Sequence, residues 1–200
     1  MSLADVAEAI TWASLLLALT AAAGFSVIAF LRPRTWFLWF AAGALGLAIL
    51  AASAMPGAAH PGFAPLVTIL AFTVAVFGGS PAAATALDLA MGGTVAPGLH
   101  GGIIVTERPT PEQARQGVVS GPRREVLRGG LTIGVLERIG AAGTIIAGFP
   151  EGLAIVVAVK GVGRFTELES PEARERFIIG TFASLIWACA AALVVHLAVR

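Results

Sequence analysis

Five long apolar runs dominate this chain, at about 7–31, 36–55, 64–91, 131–159 and 176–199. Each is near or above the roughly 20 residues that cross a bilayer as a helix. A backbone in hydrocarbon must satisfy its own N–H and C=O groups, so such runs are read as spanning helices. Composition agrees, because the 200 residues are 57% apolar and 12% charged, with a mean hydropathy of +0.87. Water-soluble domains carry about a quarter charged residues. The expected fold is an all-α, polytopic transmembrane bundle of about five spans, one integral membrane domain over residues 1–200.

The connections are Arg32-Pro33-Arg34, a Pro/Gly turn from Pro56 to Pro61, a polar loop at 92–130 and a charged loop at 160–175. Asp5 and Glu8 precede the first run with no Lys or Arg, unlike the basic leader of a secretory signal, so that run is read as a permanent span. Basic residues concentrate on the cytoplasmic side of a span set. An outside N-terminus gathers Arg32, Arg34, Arg108, Arg115, Arg123, Arg124, Arg128, Arg138 and Arg200 on one side, against Lys160, Arg164, Arg174 and Arg176. The expected topology is therefore N-terminus outside and C-terminus cytoplasmic, with 92–130 cytoplasmic. Thr110-Pro111-Glu112 and Ser170-Pro171-Glu172 each read as a helix start, with a capping hydroxyl, a proline at the first helical position and an acid in the first turn. Trp36 and Trp39 follow the first Arg pair as an interfacial belt.

Two spans carry interruptions. Gly78-Gly79-Ser80-Pro81 falls within the third, and Gly148-Phe149-Pro150-Glu151-Gly152 within the fourth. Proline removes a backbone donor and clashes with the carbonyl four residues back, so both spans are expected to be kinked or broken. Broken helices at membrane depth line solute sites in transporters, while Pro kinks without function are common. Glu151, next to the second break, and Asp88, near the end of span three, are the acids to weigh as a polar or transport site. Glu137 and Arg138 near the start of span four join them, with Lys160 at its far end. A single helix through 139–159 would hold these groups at opposite faces, too far apart to pair. Gly140, Thr144 and Gly148, like Ala42 and Gly46, form stripes of small residues suited to close helix packing.

Arg123, Arg124 and Arg128 make a basic cluster ahead of span four, and with Lys160 and Arg164 they are the candidate contacts for anionic phospholipid headgroups or phosphate. A net charge of +1 with no interleaved aromatics gives nucleic acid no footprint. His60, His100 and His196 are scattered, and no zinc, haem, serine-hydrolase or nucleotide-binding pattern is present, so no catalytic residue, metal or cofactor is expected. The single Cys189 lies in an apolar run and reads as a small buried hydrophobe.

Glu137-Arg138-Ile139, Gly148, Lys160, Arg164-Phe165, Glu175, Phe177 and Ile178-Ile179-Gly180-Thr181 with Ser184 follow one order and spacing. Over about residues 137–184 that pattern resembles an uncharacterised family of bacterial integral membrane proteins, a domain of unknown function. The chain departs from it at Phe149, where several members have Gln, and at Gly161, where they have Ser. The resemblance implies a bacterial plasma membrane protein and one polar set of Glu137, Arg138, Lys160, Arg164 and Glu175 around spans four and five. It implies no chemistry. The function read from the sequence is a non-enzymatic membrane subunit or scaffold, with the bilayer, a homo-oligomer or a membrane protein as partner. The alternatives are a small oligomeric transporter or channel built on Pro81, Pro150 and Glu151, and a membrane enzyme acting on a lipid headgroup.

Overall fold

The computed structural model describes residues 3–55, 62–92, 103–106, 115, 123–126, 129–163 and 171–199. The fold is all-α. Its described helices are α1 (Leu3–Leu31), α2 (Thr35–Ser53), α3 (Ala64–Met91), α4 (Gly130–Ile146), α5 (Gly152–Gly163) and α6 (Pro171–Val199). Strands β1 (Ile103–Thr106) and β2 (Arg123–Val126) pair antiparallel between α3 and α4, Ile103 opposite Val126 and Thr106 opposite Arg123. Four helices are long and apolar enough to cross a membrane: α1, α2, α3 and α6. The protein is thus a multi-pass membrane protein by helix length and hydropathy.

Packing follows from where small and large residues fall along these helices. The central cluster is rich in alanine, with Ala22, Ala48, Ala71, Ala75, Ala188, Ala191 and Ala198 all buried. Leu17, Leu47, Ile69, Phe182 and Ile186 instead face outward. In water this distribution would expose an aggregating surface. In lipid it is the expected one, since large apolar side chains cost nothing outside and small ones let helix backbones approach.

Aromatic contacts give the order of the bundle. Phe25 stacks on Phe40 across the α1–α2 turn, Phe30 meets Phe77 edge-on at 5.3 Å and Trp12 stacks on Phe63 at 5.5 Å. Helices α1 and α3 therefore run the same way. Helix α6 runs antiparallel to α3, because Trp187 Nε1 donates to the Val74 carbonyl at 3.0 Å and Arg176 Nε lies 3.2 Å from Met91 Sδ near the opposite end.

Two expectations change. The run 131–159 is not one span but a helical hairpin, in which α5 turns back along α4. A Cβ on Gly140 would meet Val156 at 3.1 Å, Gly152 packs against Thr144, and Lys160 pairs with Glu137. The three pairings step together, as antiparallel helices require. Lys160 and Glu137, expected at opposite faces, are thus neighbours. The turn is a Schellman stop: Gly148 adopts φ +79°, its N–H donates to the Ile145 carbonyl and the Phe149 N–H to the Thr144 carbonyl, with Pro150 beyond. Only glycine adopts this backbone without strain, so Gly148→Ala is expected to cost about 1–2 kcal/mol in a denaturation series in detergent.

The second concerns α3, expected to be kinked or broken at Pro81: the helix is not broken and continues through the proline. Side chains from two other helices pack against Gly78 and Gly79 just ahead of the proline, as described below. The helix start at Thr110-Pro111-Glu112, the turn from Pro56 to Pro61, and Arg128 and Arg164 lie outside the described residues.

Candidate functional site

The Gly78-Gly79 pair makes a notch in α3 where two bulky side chains meet the helix backbone. A Cβ on Gly78 would collide with the Trp187 indole, and one on Gly79 with Cδ of Arg138. Arg138, only 2% exposed, crosses this notch from α4. Its Nε donates to the Val76 carbonyl at 2.8 Å, one terminal nitrogen to Ser80 Oγ at 2.8 Å and the other to Ser184 Oγ at 3.1 Å. One guanidinium thus ties α3, α4 and α6 together through neutral oxygens. The carbonyls of Val74 and Val76, seven and five residues before Pro81, accept from Trp187 and Arg138. Pro81 withholds the donor to the Phe77 carbonyl, so these two bonds add to the helix and do not replace the one the proline removes.

Beside this clamp, Glu137 Oε2 accepts from Lys160 Nζ at the mouth of the hairpin. The Lys160 ammonium also lies 5.4 Å from the centroid of the Phe177 ring on α6, within cation–π range. Arg138, Lys160 and Glu137 sum to one positive charge in a largely buried cluster. Two polar atoms there are left over: Glu137 Oε1 and Thr181 Oγ1 are both buried without a hydrogen-bond partner among the described residues. Thr181 lies one turn from Phe177 and one turn from Ser184, on the α6 face that carries the Lys160 and Arg138 contacts.

The structure therefore joins Glu137, Arg138 and Lys160 into one site and leaves the other expected residues apart from it. Glu151 is exposed at the hairpin turn. Asp88 is exposed at the far end of α3, its carbonyl accepting the N–H of Gly92, the left-handed residue that ends the helix. Arg138 contacts α3 near Ser80, and from there α4 runs on to Glu151 while α3 runs the opposite way to Asp88. Arg123 and Arg124 lie on β2. Glu175 is exposed on the first turns of α6. On the α2 stripe Gly46 faces open space among the described residues, whereas Gly140 and Thr144 do pack the hairpin. Among the described residues no three His, Cys, Asp or Glu side chains gather as a metal-binding group.

Sequence reasoning did not single out Ser80, Trp187 or Thr181 as site residues. The available signal was Gly78-Gly79, which reads equally as a break or as a seat for a large side chain. No protein-family model, curated protein or solved structure matches this chain.

Proposed function

We propose that the protein is a non-enzymatic subunit of a membrane assembly, in which four spanning helices hold the α4–α5 hairpin as a re-entrant element that contacts another membrane-embedded chain. The observation that carries this is the return of Lys160 to Glu137, which folds α5 back along α4. Phe30, two residues before Arg32, touches Phe77, and Arg138 crosses α3 at Gly79, so the mouth lies near the level of the Arg32-Pro33-Arg34 turn. Phe149 is eleven residues beyond Arg138, about 16 Å deeper at 1.5 Å per residue, or roughly half the ~30 Å hydrocarbon core. Lipid satisfies neither a non-helical turn nor a carboxylate such as Glu151 at that depth.

Charge supports the re-entrant reading independently. Counted along the chain, a hairpin that returns to its starting side puts Arg32, Arg34, Arg108, Arg115, Arg123, Arg124, Arg128, Arg138, Lys160, Arg164, Arg174 and Arg176 on one face and leaves Arg200 alone on the other. A single fourth span divided the same residues nine to four. The sharper asymmetry favours a cytoplasmic hairpin mouth with both termini outside. The C-terminus, expected in the cytoplasm, moves across because one crossing is lost.

Either another protein chain or water must cover the hairpin turn. Helix α5 packs chiefly on α4 and buries only Gly152, while Ile155, Val157 and Val159 face outward. An apolar half-helix with its outer face uncovered suits a protein neighbour. Exposed Glu151 favours the second reading, a water-lined transport path with that carboxylate as its ionisable group.

Cysteine labelling in native membranes separates the two, with Cys189 replaced by alanine and Phe149→Cys introduced at the hairpin turn. A subunit is expected to protect the introduced thiol from a membrane-impermeant maleimide and to cross-link it to a neighbouring chain. Val199→Cys in the same background is expected to label from outside. Rapid labelling of the thiol at the turn by the impermeant reagent, with Glu151→Gln abolishing solute or proton flux in proteoliposomes, would replace the subunit by a transporter.

A further inference from the structure

The hairpin mouth has the chemistry of a ligand site that its own side chains do not complete. Lys160 has its remaining N–H groups and a side chain 16% exposed, so it is reachable from outside the bundle. Among the described residues, Glu137 Oε1 is a buried acceptor with no donor, and Thr181 Oγ1 a buried hydroxyl with no partner. A buried carboxylate oxygen without a donor is a costly omission in a native fold. Among the described residues the cluster also carries one surplus positive charge, because Glu137 offsets only one of Arg138 and Lys160. A complementary ligand brings an anionic oxygen to Lys160 and an O–H or N–H donor to Glu137 Oε1. Inorganic phosphate and a phospholipid headgroup share that chemistry. On the re-entrant reading proposed above, on which this inference rests, the mouth lies near the Arg32-Pro33-Arg34 turn at headgroup height, and Arg174 and Arg176 stand on the first turns of α6.

We propose that Lys160, Glu137 and Thr181 form a pocket for one anionic phospholipid headgroup bearing hydroxyl groups, of the phosphatidylglycerol type. The phosphate oxygens face Lys160 and a headgroup hydroxyl donates to Glu137 Oε1. Thr181 supplies its O–H to the phosphate. Surface basic clusters hold anionic lipid by charge alone. This pocket differs in having an acceptor that only a donor-bearing headgroup satisfies.

Native mass spectrometry of the full chain in detergent tests the proposal, with phosphatidylglycerol, phosphatidylcholine and sodium phosphate offered separately. One phosphatidylglycerol per chain is expected to bind about tenfold or more tightly than phosphatidylcholine, the scale of one charge-assisted hydrogen bond. Thr181→Val keeps shape and removes only a hydroxyl that makes no hydrogen bond among the described residues; it is expected to lower that preference several-fold at unchanged thermal stability. Lys160→Met is expected to abolish it. Equal retention of the two lipids, or full preference in Thr181→Val, overturns the pocket. Stabilisation by inorganic phosphate equal to that by phosphatidylglycerol overturns the lipid in favour of free phosphate.

Discussion

Glu137→Leu is expected to destabilise the protein by about 3–5 kcal/mol, the usual result of removing one partner from a buried ion pair. The change leaves Lys160 facing an apolar side chain and places two cations, Lys160 and Arg138, in a cluster that is 16% and 2% exposed. Neither has another carboxylate partner among the described residues. Adding Lys160→Met is expected to recover most of the loss, because replacing a whole buried pair by apolar groups is often neutral. Urea or SDS titration of purified protein in a double-mutant cycle measures this. If Glu137→Leu alone were silent, the hairpin would not be held shut at Lys160.

The second large effect is at the α3 notch. Gly78→Ala places a methyl group inside the Trp187 indole, and Gly79→Ala places one on the Arg138 stem. Neither neighbour can swing aside freely, because Trp187 Nε1 is bonded to the Val74 carbonyl and Arg138 is anchored at three oxygens. Each substitution is expected to cost about 1–3 kcal/mol, the range for overpacking, and Gly79→Val more. Gly43 and Gly46 on α2 provide the contrast, since a Cβ at either meets nothing within 4 Å. Alanine there is expected to stabilise by up to about 1 kcal/mol through helix propensity alone. Thermal unfolding in detergent separates the two pairs by sign. Equal effects at all four glycines would dismiss the notch.

Much of the fold was legible from residue order, and the reason is the thickness of the bilayer. A hydrocarbon layer about 30 Å deep requires roughly 20 apolar residues per crossing, so α1, α2, α3 and α6 could be bounded without any tertiary information. The helix stop at Gly148-Phe149-Pro150 was equally local, since a left-handed glycine followed by proline ends a helix wherever it occurs. Glu137, Arg138 and Lys160 stood out because charges within apolar runs are costly.

Tertiary structure decided what those local signals mean. A stop at Gly148 leaves open whether the next helix continues forward or turns back. That choice rests on Gly140 meeting Val156, Gly152 meeting Thr144, and Lys160 reaching Glu137, contacts between residues well separated along the chain. Gly78-Gly79-Ser80-Pro81 carries the same local signature of a break, yet α3 stays whole, and Arg138 and Trp187 from two other helices fill its glycine notch and bond the Val76 and Val74 carbonyls. The sequence by itself determined how much chain is apolar enough to cross and where helices can end. Which end turns back and which charges meet depended on contacts such as Lys160 to Glu137, 23 positions apart, and the filling of the α3 notch on groups up to 113 apart, encounters that only packing creates.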